Sequence, residues 1–138
     1  MPLNRKLQGI MDGRLVRAMD DGEDFGFIPV VLRVNTAAGA DNTVSLTMER
    51  KFTLIDVQAK NIGGAGPAND TLTIKNGSNA VTDVMDMEGA ENLIIRALSI
   101  DDAHHEIAAG STLNVIALDH TGGDQRAKIV YITGYYSL

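Results

Sequence analysis

From Phe27 onward the apolar positions recur with a period of two, in short runs separated by Gly, Asn, Asp or Pro. That alternation marks half-buried β-strands. Eight strands are predicted: "FIPVVLRV" (27–34), "TVSLTM" (43–48), "FTLIDVQAKN" (52–61), "DTLTIKN" (70–76), "AVTDVM" (80–85), "LIIRALSI" (93–100), "TLNVIALD" (112–119) and "AKIVYITGYY" (127–136). The expected fold is an all-β, eight-stranded antiparallel β-sandwich. In the third strand Ile55, Val57 and Ala59 alternate with Asp56, Gln58 and Lys60, and Leu72 and Ile74 repeat the pattern in the fourth. The stretch "NDTLTIKNGSNAVTD" (69–83) reads as a hairpin, because its Asn76-Gly77 pair tolerates positive φ. The Gly- and Pro-rich "NIGGAGPAND" (61–70) predicts an exposed loop at one end of the sandwich.

Two strands depart from the alternation. In "KIVYIT" Ile129 and Tyr131 face one way while Val130 and Ile132 face the other, and "LIIRALSI" is apolar on both sides apart from Arg96 and Ser99. Strands of this kind are covered on both faces. In a two-layer sandwich the second cover must come from the N-terminal arm or from another subunit, so Val130, Ile132, Ile94 and Tyr135 are the expected subunit-interface residues. The segment "GAENLIIRAL" (89–98) also fits a helix, with Leu93, Ala97 and Leu98 about a turn apart, but the Ile-Ile pair and the following Ser-Ile favour a strand. Residues 1–24 have no steady period; Leu7, Ile10, Met11, Leu15, Val16 and Met19 are irregularly spaced. That leaves either a short amphipathic helix around 10–19 or an extended arm. The chain is thus expected to divide into an N-terminal arm (1–24) and a β-sandwich domain (25–138).

Composition adds constraints. With 138 residues, 44% hydrophobic and 22% charged, the chain can build one core and no comfortable second one. It contains no Cys and no Trp, which excludes disulfides and thiolate metal sites. No apolar run has the length of a signal peptide or a membrane span, so no membrane partner is expected. Arg5, Lys6, Arg14 and Arg17 against Asp12 make residues 1–17 net positive, whereas Asp20, Asp21, Glu23 and Asp24 make residues 18–24 strongly acidic. The whole chain carries −6, and an acidic body repels nucleic acid, so no nucleic-acid partner is expected.

The chemistry-bearing residues do not assemble into a reactive motif. His104, His105 and Glu106, with Asp101, Asp102 and His120 nearby, are the first metal candidates, but adjacent strand residues point to opposite faces. Nor do the histidines have the one-residue separation of the cupin pattern. Asp83, Asp86 and Glu88 lack the alternate spacing of a calcium loop, Ser78 sits in a turn without the second glycine of a nucleophile elbow, and "GGAGPAND" lacks the Lys-Ser/Thr of a phosphate loop. Glycan stacking is weakened by 4% aromatic content, with Tyr131, Tyr135 and Tyr136 grouped at the C-terminus. The expectation is a protein that is not an enzyme, with no catalytic, metal or cofactor-binding residue and no cofactor.

Three pieces of the chain, "ANDTLTIKNGSNAVTD", "SIDDAHHEIAAGSTLNV" and "GGDQRAKIVYITG", within residues 52–138, resemble head decoration (cement) proteins of tailed bacteriophages. The resemblance implies a jelly-roll fold and a structural role on the outer surface of the capsid, in a virion assembled in the bacterial host cytoplasm. It also implies self-association, most simply as a homotrimer, and an arm that reaches across subunits of the major capsid protein. Arg5, Lys6, Arg14 and Arg17 would pair with an acidic shell, and Leu3, Leu7, Ile10, Leu15 and Val16 would add apolar contacts. Two rivals remain: a glycan- or receptor-binding module of a phage tail or adhesin acting through loops 61–70 and 119–126, and a cupin-type enzyme.

Overall fold

The long alternating segments fold as their period requires. The structure, a computed structural model, describes residues 27–119 and 125–138. Ten strands follow in chain order: β1 (Phe27–Thr36), β2 (Asn42–Thr47), β3 (Phe52–Ile62), β4 (Asp70–Asn76), β5 (Asn79–Ala80), β6 (Met85–Asp86), β7 (Ile95–Arg96), β8 (Glu106–Ile107), β9 (Thr112–Asp119) and β10 (Ala127–Ser137). They make two antiparallel sheets, and no helix occurs among the described residues. The first has the order β1-β10-β3-β7 with β8 also on β3; the second has β2-β9-β4-β5 with β6 also on β4. The chain crosses between layers at every step from β1 to β4, stays in the second sheet through β5 and β6, returns to the first for β7 and β8, and crosses again to β9 and back to β10.

The core lies between the sheets. Val34, Val57 and Ile132 of the first sheet pack with Leu72, Ile74 and Val115 of the second. Complete burial of such a side chain contributes about 1.5–3 kcal/mol, which is why a period of two held over seven or more residues fixes the face of each strand.

The predicted hairpin forms with Gly77 and Ser78 as its two-residue loop, since Asn76 pairs with Asn79 and Lys75 with Ala80. Positive φ falls on Gly77 (60°), not on Asn76, as a turn with glycine first requires. The Asn76 side chain instead ties the hairpin to β8 and the turn before it, its Nδ2 donating to the carbonyls of His104 and Glu106 at 3.1 and 3.0 Å.

Two predicted strands are largely replaced by other hydrogen bonding. In 80–85 the ladder breaks after Ala80, where the N–H groups of Val81 and Thr82 both converge on the Ile74 carbonyl and Thr82 Oγ1 accepts from Ile74 N–H at 3.1 Å. In 93–100 only Ile95 and Arg96 pair as a strand, because the Asp83 carboxylate accepts from the backbone N–H groups of Leu98 and Ser99 at 2.8 and 3.2 Å. Short polar side chains commonly compete with a ladder in this way.

The doubly apolar β10 has a simpler explanation than the sequence suggested. It is a central strand, flanked by β1 and β3. Val130 and Ile132 are fully buried in the core of a single chain and have no area to offer a second one. Their assignment to a subunit interface is therefore corrected: the opposite sheet of the same molecule covers them. The outward side of β10 carries Ile129, Tyr131, Thr133 and Tyr135.

Candidate functional site

The outer face of the β1-β10-β3-β7 sheet is where apolar side chains meet solvent. Cross-strand register sets out its rows. Val31, Thr133 and Asp56 form one; Arg33, Tyr131, Gln58 and Arg96 form the next; Asn35, Ile129 and Lys60 form a third. Val31 is 58% exposed, and Phe27, two alternations earlier on β1, packs its ring on Tyr135 at 5.2 Å between centroids. Ile94 and Leu98 flank β7 in the phase of Arg96, opposite to Ile95 and Ala97 on the core side, and Leu98 is 90% exposed. A β-bulge supplies another apolar residue. The register shifts between Thr133 and Gly134, which face Asp56 and Leu54, so Ile55 is unpaired and turned outward at 55% exposure.

Charge on this face runs against the charge of the protein. Residues 27–138 contain eight basic and thirteen acidic side chains. Four basic residues, Arg33, Lys51, Lys60 and Arg96, but only two acids, Asp56 and Glu106, belong to this face or its end. Both acids are already engaged, Asp56 with Arg96 at 3.1 Å and Glu106 with Lys51 at 3.8 Å. Arg33 and Lys60 have no ion-pair partner among the described residues. The outcome is an apolar, electropositive surface on a molecule of net charge −6. The outer face of the second sheet is more polar: Thr43, Ser45 and Thr47 on β2 stand opposite Ile116, Asn114 and Thr112 on β9, and Ser45 Oγ donates to Asn114 Oδ1 at 2.7 Å. That polar surface is content in water.

At the loop end of the sandwich, where loop 63–69 lies, Lys128 and Asp70 form a wholly buried ion pair between the sheets. Lys128 Nζ donates to Asp70 Oδ2 at 2.9 Å and to the Arg126 carbonyl at 2.8 Å, while Asp70 Oδ1 lies 2.8 Å away as an ion contact. Around it the loops are stitched together: Gly66 N–H donates to Gly89 O, Arg126 Nε to Ala65 O, and Asn61 Nδ2 to Met87 O. The pair is a fastening under the loops, with its donors and acceptors directed at protein atoms.

The residues considered for catalysis or metal binding are drawn into turns. His104 Nδ1 lies 2.9 Å from Asp101 Oδ2, and Asp101 Oδ1 accepts from Ala103 N–H at 2.8 Å. Among the described residues no group of three or more His, Cys, Asp or Glu is placed to hold a metal ion; His120 lies outside them. A shallow cleft of about 400 Å3 beside the start of β1 is lined by Ile28, Thr47, Glu49, Arg50 and Tyr136, a set with one carboxylate and no histidine. The His104 hydrogen bond, followed by the Ala103 N–H, lowers the Asp101 pKa below its ordinary 3.8. Asp101 therefore supports the 101–104 turn fully above pH 3.8, and that support is lost as pH falls through the lowered folded-state value. An NMR titration is expected to show an Ala103 amide shift below that point, and Asp101→Asn should abolish that low-pH shift.

Of the interface residues read from sequence, Ile94 and Tyr135 are on the exposed sheet face, Ile94 well exposed and Tyr135 half-buried under Phe27. Val130 and Ile132 are in the core. The arm residues Leu3, Arg5, Lys6, Leu7, Ile10, Arg14, Leu15 and Arg17 lie outside the described residues, as do 120–124 of the loop 119–126. Sequence reasoning passed over Val31, Ile55, Leu98, Arg33 and Lys60. A signal for Val31 was present, since "FIPVVLRV" is apolar in both phases: Phe27, Pro29 and Val31 on one side, Ile28, Val30 and Leu32 on the other. The loop 61–70 carries no aromatic side chain on which a sugar could stack. Comparisons with protein-family models, with curated proteins and with solved structures found no match to this chain.

Proposed function

We propose that the chain is a non-enzymatic structural protein of a tailed-bacteriophage virion, a decoration protein that coats the outer surface of the head. It self-associates, most simply as a homotrimer, and strengthens the shell by bridging major capsid subunits. The observation that carries this reading is the exposed face of the β1-β10-β3-β7 sheet. It presents Val31, Ile55, Ile94 and Leu98 beside cations that have no ion-pair partner among the described residues, on an otherwise acidic molecule. An apolar surface of this kind is suited to docking and ill suited to remaining wet. The strand order supports a jelly roll, in which β1-β10-β3-β7/β8 faces β2-β9-β4-β5/β6 as two interleaved Greek keys.

In this reading the interface set becomes Val31, Ile55, Ile94, Leu98 and Tyr135. The basic arm, through Arg5, Lys6, Arg14 and Arg17, makes contacts with the shell that are individually worth about 0–1 kcal/mol. Three arms held together multiply such contacts by effective concentration, about 10²–10⁴-fold in avidity.

The test is to add purified full-length protein to heads stripped of their decoration layer, measuring bound copies and the melting temperature of the shell. Saturable binding with a rise in shell melting is expected, and deletion of residues 1–24 should abolish binding without unfolding the domain. Heads that take up no protein, together with selective capture on a glycan array, would replace this reading with the receptor-binding one.

A further inference from the structure

We propose that the exposed sheet face is the receptor for residues 18–25 of a second copy of this chain, so that the acidic stretch of one leader clasps the basic, apolar sheet of the next molecule. The proposal rests on the self-association argued above and names the segment that performs it.

Charge complementarity is the first argument. The stretch "AMDDGEDF" (18–25) carries four carboxylates and no base, with apolar Met19 and Phe25 near its ends. The face offers Arg33 and Lys60 without partners among the described residues, and beside them the exposed Val31, Ile55, Ile94 and Leu98. Elsewhere in residues 27–138 the balance is four basic to eleven acidic side chains, which would repel the same stretch. This sheet is therefore the one broad surface of the described residues that attracts it.

Length and origin are the second. The acidic stretch ends two residues before Phe27, which begins β1 at the edge of the sheet. Eight extended residues span roughly 26 Å, against about 14 Å from β1 across β10 and β3 to β7. A single stretch thus reaches from Arg33 to the exposed residues at β7. To lie on its own sheet the stretch would have to turn back within the two residues ahead of Phe27, whereas on a second copy it need not. The contact is heterologous, with different surfaces on the two partners, and contacts of that type form rings such as trimers where the rotation closes.

The chain has no cysteine, so Gly22→Cys provides a unique attachment point for a nitroxide. Full-length spin-labelled protein at natural isotope abundance is mixed with cysteine-free, 15N-enriched protein that carries no nitroxide, and intermolecular broadening of amide signals is recorded. Broadening is expected at Val31, Arg33, Ile55, Lys60 and Leu98, and not at Thr43, Ser45 or Asn114 on the opposite sheet. Arg33→Glu/Lys60→Glu should remove most of it and weaken self-association roughly tenfold, as should salt at about 1 M, where the Debye length is about 3 Å. A trimer by sedimentation with no intermolecular broadening at these positions would overturn the clasp and leave self-association standing. Broadening confined to 15N protein that carries its own nitroxide would place the leader on its own sheet and overturn the exchange. A single-chain mass with no broadening would remove both.

Discussion

Lys128→Met is expected to destabilise the domain by about 3–5 kcal/mol, the largest effect of any single substitution considered for this protein. Asp70 and Lys128 are both completely buried, and Lys128 holds the Asp70 carboxylate and the Arg126 carbonyl at once. Removing the ammonium leaves an uncompensated carboxylate between two sheets, where the cost of desolvation is no longer offset. Asp70→Leu should be costly for the mirror reason, since it strands the cation. The double substitution Asp70→Leu/Lys128→Met removes both charges and should recover much of the loss, because a buried ion pair is worth little against well-packed apolar side chains. Urea unfolding of the four proteins measures this as a coupling energy. Equal and additive losses would mean that the pair does not act as a unit.

Gly134→Ala is expected to cost about 1–3 kcal/mol, and to do so locally. A Cβ at this position would run into the carbonyl oxygen of Thr53 and the ring of Phe52. The carbonyl belongs to the backbone of β3 at the bulge, so it has no rotamer through which to escape. Gly77 is the useful contrast. A Cβ there meets nothing, so Gly77→Ala is strained only through its positive φ. The larger loss is therefore predicted for Gly134→Ala, with faster hydrogen exchange at Leu54 and Val57 beside the bulge; equal exchange in both variants would argue that β3 can shift to make room.

What the sequence disclosed depended on how long each pattern ran. β1, β3, β4, β9 and β10 each run for seven or more residues between turn signals, and their positions were legible to within a few residues. Segments 80–85 and 93–100 looked extended because they are rich in Val and Ile, yet Thr82 and Asp83 redirect their backbone hydrogen bonds, and no periodicity records which carboxylate will cap which amide. The buried pair was legible in principle. Lys128 shares the phase of Val130 and Ile132, and Asp70 that of Leu72 and Ile74, so both charges were already aimed inward. Recognising them as partners needed the two sheets face to face. The exposed apolar face was half legible: two-sided apolar strands do mark a second apolar side, but the sequence could not say which side of β10 was the core. Ile55, which the alternation of its strand grouped with the buried Val57 and Ala59, was the least legible in the sequence, since a bulge changes phase without leaving a residue-type signature.

We propose that the outer face of the β1-β10-β3-β7 sheet is a docking surface. Sedimentation equilibrium of the full-length chain and of Val31→Asp/Leu98→Asp tests it most directly, because both residues are exposed and neither supports the core. The prediction is a mass of three 14.7 kDa chains for the native protein and of one chain for the variant, with an unchanged urea midpoint. The same mass for both proteins would contradict it.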